Sequence, residues 1–229
     1  MNPILSPGDL KSLTEYDTPT IANVIETFNL SLRNEGYTDS SVACRFPQLK
    51  PMVGYALTLR MRSYQPPVKG HIYADPSDWW EKLGDLPKPR IAVIQDLDNP
   101  CGAGALAGAV HGAIFKMLGC VGIVTNGAVR ALPSLGGSGL QVYSGSISPS
   151  HAYAHVIDFG ASVHIGGLSI AQGELLHGDM HGIVKIPLYI ADQISERAEK
   201  VVQHESDIKQ LCATTGLSLD ELRRAIESH

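Results

Sequence analysis

One continuous stretch, residues 104–131, constrains the fold of this chain more than any other part of the sequence. It contains a glycine-spaced segment, a helix-forming segment, an apolar run over residues 121–125, the pair Asn126-Gly127 and then Arg130. A second apolar run, residues 91–95, precedes it, and the order strand, helix, strand is typical of parallel strands in an α/β protein. Because Asn-Gly pairs favour tight turns, we expect Arg130 to project from the C-terminal edge of a buried strand.

The remaining segments predict an α/β fold with a mixed sheet, and helical appendages at both ends. Ser6 and Pro7 are a typical helix start, and alternating short strands and glycine turns follow residue 140. We expect a single domain over residues 1–229, with a core at about 50–187 and C-terminal helices at about 191–229. Further helices are predicted at 6–16, 18–28, 76–83, 191–214 and 218–226, and strands at 52–62, 141–144, 162–165, 168–170, 174–177 and 182–186.

Charge and composition exclude several classes of protein. The formal net charge is −5, with 18 Lys and Arg against 23 Asp and Glu, and basic residues are scattered. This pattern argues against nucleic acid as a primary partner. The first residues have no signal-peptide pattern, and no apolar run approaches the length of a membrane span. We therefore expect a cytoplasmic protein that does not insert into a membrane.

The stretch 104–131 also predicts a pocket for a small carboxylic acid. A loop that opens a helix presents free backbone N–H groups to an anion, and an arginine can bind a carboxylate through two parallel hydrogen bonds. Each feature has a structural alternative. Taken alone, the small residues Gly104 and Gly108 favour close helix–sheet packing, and Arg130 alone fits a surface ion pair.

The histidines and a strand-end aspartate are further candidates. His177, Asp179 and His181 alternate along the chain, so in an extended segment they share one face and could bind a divalent metal. A hairpin turn with hydrogen-bonded histidines is the favoured alternative, because glycines flank this segment. Histidines could also act as general bases in a hydrolase or isomerase. Asp96 ends a predicted strand, where it could face a site or cap the following loop.

Six segments of the sequence together resemble a known family. They are residues 52–58 (MVGYALT), the strand ending at Asp96, the helix after Gly108, residues 119–130 (GCVGIVTNGAVR), residues 163–187 and the helix bearing Glu205. This pattern resembles the 4-hydroxy-4-methyl-2-oxoglutarate aldolases, which share their fold with the regulator of ribonuclease E activity A (RraA). The resemblance implies a swivelling α/β/α domain that assembles as a homotrimer, or a hexamer, with active sites between subunits.

The resemblance also implies which residues bind substrate. In the aldolases, backbone amides before the central helix and an arginine hold a pyruvate-like acid. These groups correspond to Arg130 and to the loop residues Ala107, Gly108, Ala109 and Val110. Arg130 would be the catalytic residue, since it stabilises the enolate formed on C–C cleavage.

The metal-binding half of the aldolase pattern is absent from this sequence. The family uses an aspartate directly after the arginine and an acidic residue after the loop glycine to hold Mg²⁺ or Mn²⁺. Here these positions are Ala131 and Ala109, and alanine has no oxygen ligand for such a metal. A glutamate from a neighbouring subunit's C-terminal helix completes the family's site, and Glu205 corresponds to it.

Besides a hydrolase or isomerase that uses the histidines, two functions are therefore the main hypotheses. The leading hypothesis is an aldolase-type lyase that acts on a pyruvate-derived 2-oxo acid of the 4-hydroxy-4-methyl-2-oxoglutarate or oxaloacetate type. Its metal would be recruited by Glu205 and waters, or by His177, Asp179 and His181. The alternative is a catalytically silent relative that binds a small acid or regulates a partner protein.

Overall fold

The computed structural model of this chain describes residues 5–30, 32–69, 86–214 and 217–227. The helix predicted over residues 76–83 lies outside these ranges. The helices are α1 (Pro7–Leu13), α2 (Thr18–Glu26), α3 (Ala109–Met117), α4 (Leu132–Gly137), α5 (Ile194–Cys212) and α6 (Leu219–Glu227). The strands are β1 (Ala43–Cys44), β2 (Met52–Arg62), β3 (Arg90–Asp96), β4 (Ala105–Ala107), β5 (Cys120–Val129), β6 (Gln141–Ile147), β7 (His155–Phe159), β8 (Val163–Ile165), β9 (Leu168–Ile170), β10 (Leu175–Asp179) and β11 (Gly182–Ile186).

The strands form a mixed sheet in the order β1-β6-β5-β3-β2-β10-β11. In addition, β4 pairs with β5, and β7 pairs with β2. The pairs β2–β3, β3–β5, β4–β5 and β5–β6 are parallel. The pairs β1–β6, β2–β7, β2–β10 and β10–β11 are antiparallel. The predicted mixed α/β fold with helices near both ends is confirmed.

The central strands are buried on both faces. Along β3, Ala92 and Ile94 pack into one apolar cluster with Phe115 of α3 and Leu135 of α4. The neighbouring residues Ile91 and Val93 point to the opposite face, where they pack against residues of the β8–β9 hairpin. This double burial explains why β3 is nearly continuous in apolar residues.

The terminal helices pack against the far end of the sheet. Leu10 and Leu13 of α1 and Ile21 of α2 form one cluster with strands β10 and β11 and with the start of α5. Ser6 caps α1 as predicted, and the structure adds a reciprocal hydrogen bond from the Ser6 backbone to the Asp9 side chain. Within the described ranges, no helix is both long enough and apolar enough to span a bilayer.

Candidate functional site

The predicted carboxylate pocket centres on Arg130, which directly follows β5. Its backbone N–H donates to the carbonyl of Ala107 at 3.0 Å, and this bond joins the end of β5 to the end of β4. The pairing brings the Arg130 side chain across Gly108. A Cβ built on Gly108 would lie 3.0 Å from Cγ and 3.2 Å from Nε of Arg130. The absence of a side chain at Gly108 therefore permits this close approach.

Helix α3 begins immediately beside Arg130. Its N-cap is Gly108, which provides no side-chain hydrogen bond. The first helical bond runs from Gly112 N–H to the Gly108 carbonyl at 2.8 Å. The N–H groups of Ala109, Val110 and the next residue therefore have no acceptor within the helix. They form the positive end of the helix dipole, which favours an anion.

The guanidinium of Arg130 has a buried hydrogen-bond donor, Nε, that makes no hydrogen bond within the described residues. Its Nε is enclosed, and no acceptor for it exists in the described parts of the chain. Buried donors in folded proteins almost always have a partner, and a buried donor without one costs roughly 1–3 kcal/mol. A carboxylate between this guanidinium and the start of α3 would satisfy Nε and the free amides together.

Glycine-loop and turn predictions around this site need correction. Residues 105–107 are not a loop but strand β4, which pairs with β5. The pair Asn126-Gly127 is not a turn and lies inside β5. The Asn126 side chain accepts from Asp96 N–H at 2.7 Å and donates to the Asp96 carbonyl at 2.9 Å. Gly127 leaves room for the Asp96 side chain, so contacts with β3 override the local turn preference.

Asp96 caps the loop that follows β3. Its carboxylate accepts from the N–H groups of Asp98 at 3.0 Å and Gly102 at 2.8 Å. Burial raises the pKa of Asp96, although these backbone bonds oppose the rise. Of the two roles considered for Asp96, the structure shows the cap.

The segment His177–His181 forms the predicted hairpin. Asp179 and Gly182 are paired at the end of β10 and β11. His177 is fully buried; its Nδ1 lies 3.0 Å from Thr18 Oγ1, and its Nε2 lies 3.1 Å from the Leu13 carbonyl. These contacts satisfy both ring nitrogens without a metal and anchor the junction between α1 and α2.

Asp179 has a similar structural role. Its carboxylate accepts from Thr18 N–H at 2.9 Å and from His181 N–H at 2.9 Å, and these bonds help lower its pKa against the effect of burial. No cluster of three or more His, Cys, Asp or Glu side chains suited to a metal occurs within the described residues. The arrangement His177, Asp179 and His181 does not support the metal-site hypothesis.

The remaining metal candidate, Glu205, lies on α5, a helix that packs against α1 and α2. Its carboxylate is partly exposed and lies 3.4 Å from the Lys209 ammonium, one turn along the same helix. Ala131 adopts a left-handed conformation with φ 54° at the start of α4. Neither Ala131 nor Ala109 has an oxygen atom in its side chain, so neither side chain can coordinate a divalent metal.

Sequence reasoning missed His111, the third residue of α3. The imidazole is half-buried and packs against the Phe115 ring, with 6.1 Å between centroids. Burial lowers the pKa of His111, and the positive charge of Arg130 lowers it further. The signal that could have found it is its position three residues after Gly108, which places it on the same helix face.

A family model and solved structures identify the kind of protein. The RraA-like model, described as Aldolase/RraA, matches residues 21–185. No curated protein matches the chain significantly. Among solved structures, an uncharacterized protein from Pseudomonas syringae pv. tomato is 18% identical with a TM-score of 0.74, and the match covers 100% of this chain and 97% of that one.

Two further structures carry RraA names. Streptomyces coelicolor RraAS2, an unusual member of the RNase ES inhibitor RraA family, is 21% identical with a TM-score of 0.70 over 90% of this chain and 99% of its own. The RNA-processing inhibitor RraA from Thermus thermophilis is 14% identical with a TM-score of 0.51 over 72% and 92%. At these identities the likeness shows the fold alone. Because the family model matches most of the sequence, this chain belongs to the RraA-like (Aldolase/RraA) family.

Proposed function

We propose that the protein is an aldolase-type carbon–carbon lyase that acts on a pyruvate-derived 2-oxo acid, such as 4-hydroxy-4-methyl-2-oxoglutarate or oxaloacetate. The observation that carries the proposal is the buried Nε of Arg130, which lacks a partner among the described residues and lies beside the uncapped start of α3. The substrate carboxylate would bind Arg130 and the amides of Ala109 and Val110.

The same groups can stabilise the charge that develops during C–C cleavage. Breaking the bond to C3 of a 2-oxo acid leaves an enolate, whose negative charge lies on the former keto oxygen. Fixed N–H donors and a guanidinium aimed at such an oxygen are an established source of rate enhancement, since they need little reorganisation. Because the side chains of Ala109 and Ala131 supply no metal ligand, we assign carboxylate binding and enolate stabilisation to Arg130 and the backbone amides.

Oligomeric state bears on the completeness of this site. We propose a homotrimer or hexamer in which Glu205 of one subunit approaches the Arg130 pocket of another. Among the residues that the structure describes, the Glu205 carboxylate contacts Lys209 in a partly exposed pair, and exposed pairs of this kind contribute little to stability. Glu205 is therefore free to exchange this partner in an assembly.

The second candidate function is a catalytically silent protein that binds a small acid or regulates a partner. The alanines at 109 and 131 favour it directly, and two structural neighbours are named as inhibitors of RNA processing or of an RNase. In this case the pocket would bind a carboxylate without turnover.

Pyruvate release from both substrates, with Mg²⁺ and Mn²⁺ supplied, distinguishes the two candidates. The lyase proposal predicts turnover by the wild type that is lost in Arg130→Gln. The matched variants are Ala131→Asp alone and with Ala109→Asp, which restore the carboxylates of the family pattern. Activity confined to these variants, with a folded and inactive wild type, would refute the lyase proposal and favour the silent alternative.

A further inference from the structure

His111 lies at the same end of α3 as the proposed carboxylate site. It is the third residue of the helix, one turn after Gly108. Side chains on a helix tilt toward its N-terminus, and residues three apart are neighbours on one face. We therefore expect the imidazole of His111 to lie toward the turn that begins at Gly108, across which the Arg130 side chain lies.

The surroundings of His111 favour the neutral imidazole and leave its ring nitrogens without a hydrogen-bond partner among the described residues. One side of the ring packs on Phe115, which is fully buried. Arg130 is close enough for its charge to disfavour the imidazolium, an effect that adds to burial in lowering the pKa of His111. Neither ring nitrogen has a hydrogen-bond partner in the residues that the structure describes, in contrast with His177.

The proposed lyase reaction needs a group that His111 can supply. Retro-aldol cleavage requires a base for the C4 hydroxyl proton and an acid that returns a proton to C3 of the enolate. Ala109 and Ala131 cannot perform either step, and a guanidinium carries hydrogen-bond donors but no acceptor for a proton. An imidazole that is neutral in the resting site can accept a proton and return it within one turnover.

Resting on the function proposed above, we propose that His111 is the catalytic acid–base group of this site. With 4-hydroxy-4-methyl-2-oxoglutarate, the neutral imidazole takes the C4 hydroxyl proton as the C3–C4 bond breaks. C4 becomes the keto carbon of one pyruvate, and the electron pair of the broken bond passes into the enolate of a second. The imidazolium then delivers that proton to C3 of the enolate, which gives the second pyruvate and regenerates neutral His111. Arg130 and the amides of α3 hold the carboxylate and the enolate oxygen throughout.

The reverse of the last step gives a test that is independent of the natural substrate. In D₂O, a base at C3 exchanges the methyl protons of pyruvate, and the loss of the methyl signal is followed by ¹H NMR. We expect wild-type protein to catalyse this exchange. His111→Gln and His111→Asn should lower its rate by about 10²- to 10⁴-fold, the usual contribution of a general acid–base group.

A parallel binding measurement distinguishes the proton-transfer role from the carboxylate site itself. Oxalate, a stable planar mimic of the pyruvate enolate, is titrated into each protein by calorimetry. We expect both His111 variants to bind oxalate within about twofold of wild type, and Arg130→Gln to lose binding. The control His164→Gln changes an exposed histidine on the β8–β9 hairpin and should retain both exchange and binding.

Each outcome has a defined meaning. Wild-type exchange rates in folded His111 variants would overturn the role of His111 and leave the lyase proposal standing. If both variants lose oxalate binding as well as proton exchange, His111 contributes to ligand binding or to packing of the site and does not transfer the proton. Oxalate binding by wild type without any exchange would overturn the His111 proposal but retain a carboxylate site. Absence of oxalate binding by wild type would refute both proposals.

Discussion

Replacement of Gly108 by alanine probes the contact on which the proposed site depends. A Cβ at this position would lie 3.0 Å from Cγ and 3.2 Å from Nε of Arg130. Contacts this short require the arginine side chain to shift by a few tenths of an ångström. The backbone at Gly108 is extended, with φ −151°, so alanine introduces no backbone strain.

A small shift of this kind has a measurable effect on binding but not on folding. Hydrogen bonds to charged groups contribute about 1.5–3 kcal/mol each. Partial loss of one bond to Arg130 should therefore cost about 1–2 kcal/mol of binding free energy, which weakens oxalate binding by roughly 5- to 30-fold. The N-cap change from glycine to alanine should alter the free energy of unfolding by less than about 1 kcal/mol.

Isothermal titration with oxalate and urea unfolding measure the two quantities. Gly137→Ala is the matched control, because a Cβ built on Gly137 has no atom within 4 Å, and it should bind oxalate like wild type. Wild-type affinity in Gly108→Ala would refute the contact between Gly108 and Arg130 as a determinant of the site. A loss of affinity accompanied by unfolding would refute the separation of binding from stability.

Two further predictions concern stability. Burial lowers the pKa of His177, so below about pH 6.5 the unfolded chain binds a proton more readily than the folded chain does. The free energy of unfolding should therefore decrease as the pH is lowered from 7.5 to 5.5. Urea unfolding should show a smaller pH dependence in His177→Gln, and an unchanged dependence would contradict this prediction. Phe115→Ala should lower the free energy of unfolding by about 3–5 kcal/mol. Met117 on the same helix is 73% exposed, so Met117→Ala should change the free energy of unfolding by less than about 0.5 kcal/mol. Equal effects in the two variants would contradict the packing described for α3.

The elements that local sequence features determine were predictable. Ser6 and Pro7 mark the start of α1 because both act within one helical turn. The apolar run of β3 predicts a strand buried on both faces, since few other environments accommodate such a run. Arg130 was placed correctly at the end of a buried strand for the same reason, although the turn expected before it does not exist.

Features that depend on residues distant in sequence were not predictable. Asn126 has a strong local preference for turns, but its amide bonds to Asp96 on β3, 30 residues away, and this pairing overrides the preference. For His177 the sequence favours a hydrogen-bonded histidine over a metal ligand, but its partners Thr18 and Leu13 are about 160 residues distant and cannot be identified from it. Contact between Gly108 and Arg130 likewise depends on the pairing of β4 with β5, which no periodicity reveals.

A crystal structure of the protein soaked with oxalate tests the proposed carboxylate site most directly. We expect a carboxylate between the Arg130 guanidinium and the first turn of α3. Its oxygens should lie about 2.7–3.1 Å from Arg130 Nε and from the N–H groups of Ala109 and Val110. Oxalate bound elsewhere, with Arg130 Nε still unpartnered at saturating ligand, would contradict the central claim that this strand end and this helix start form a carboxylate site.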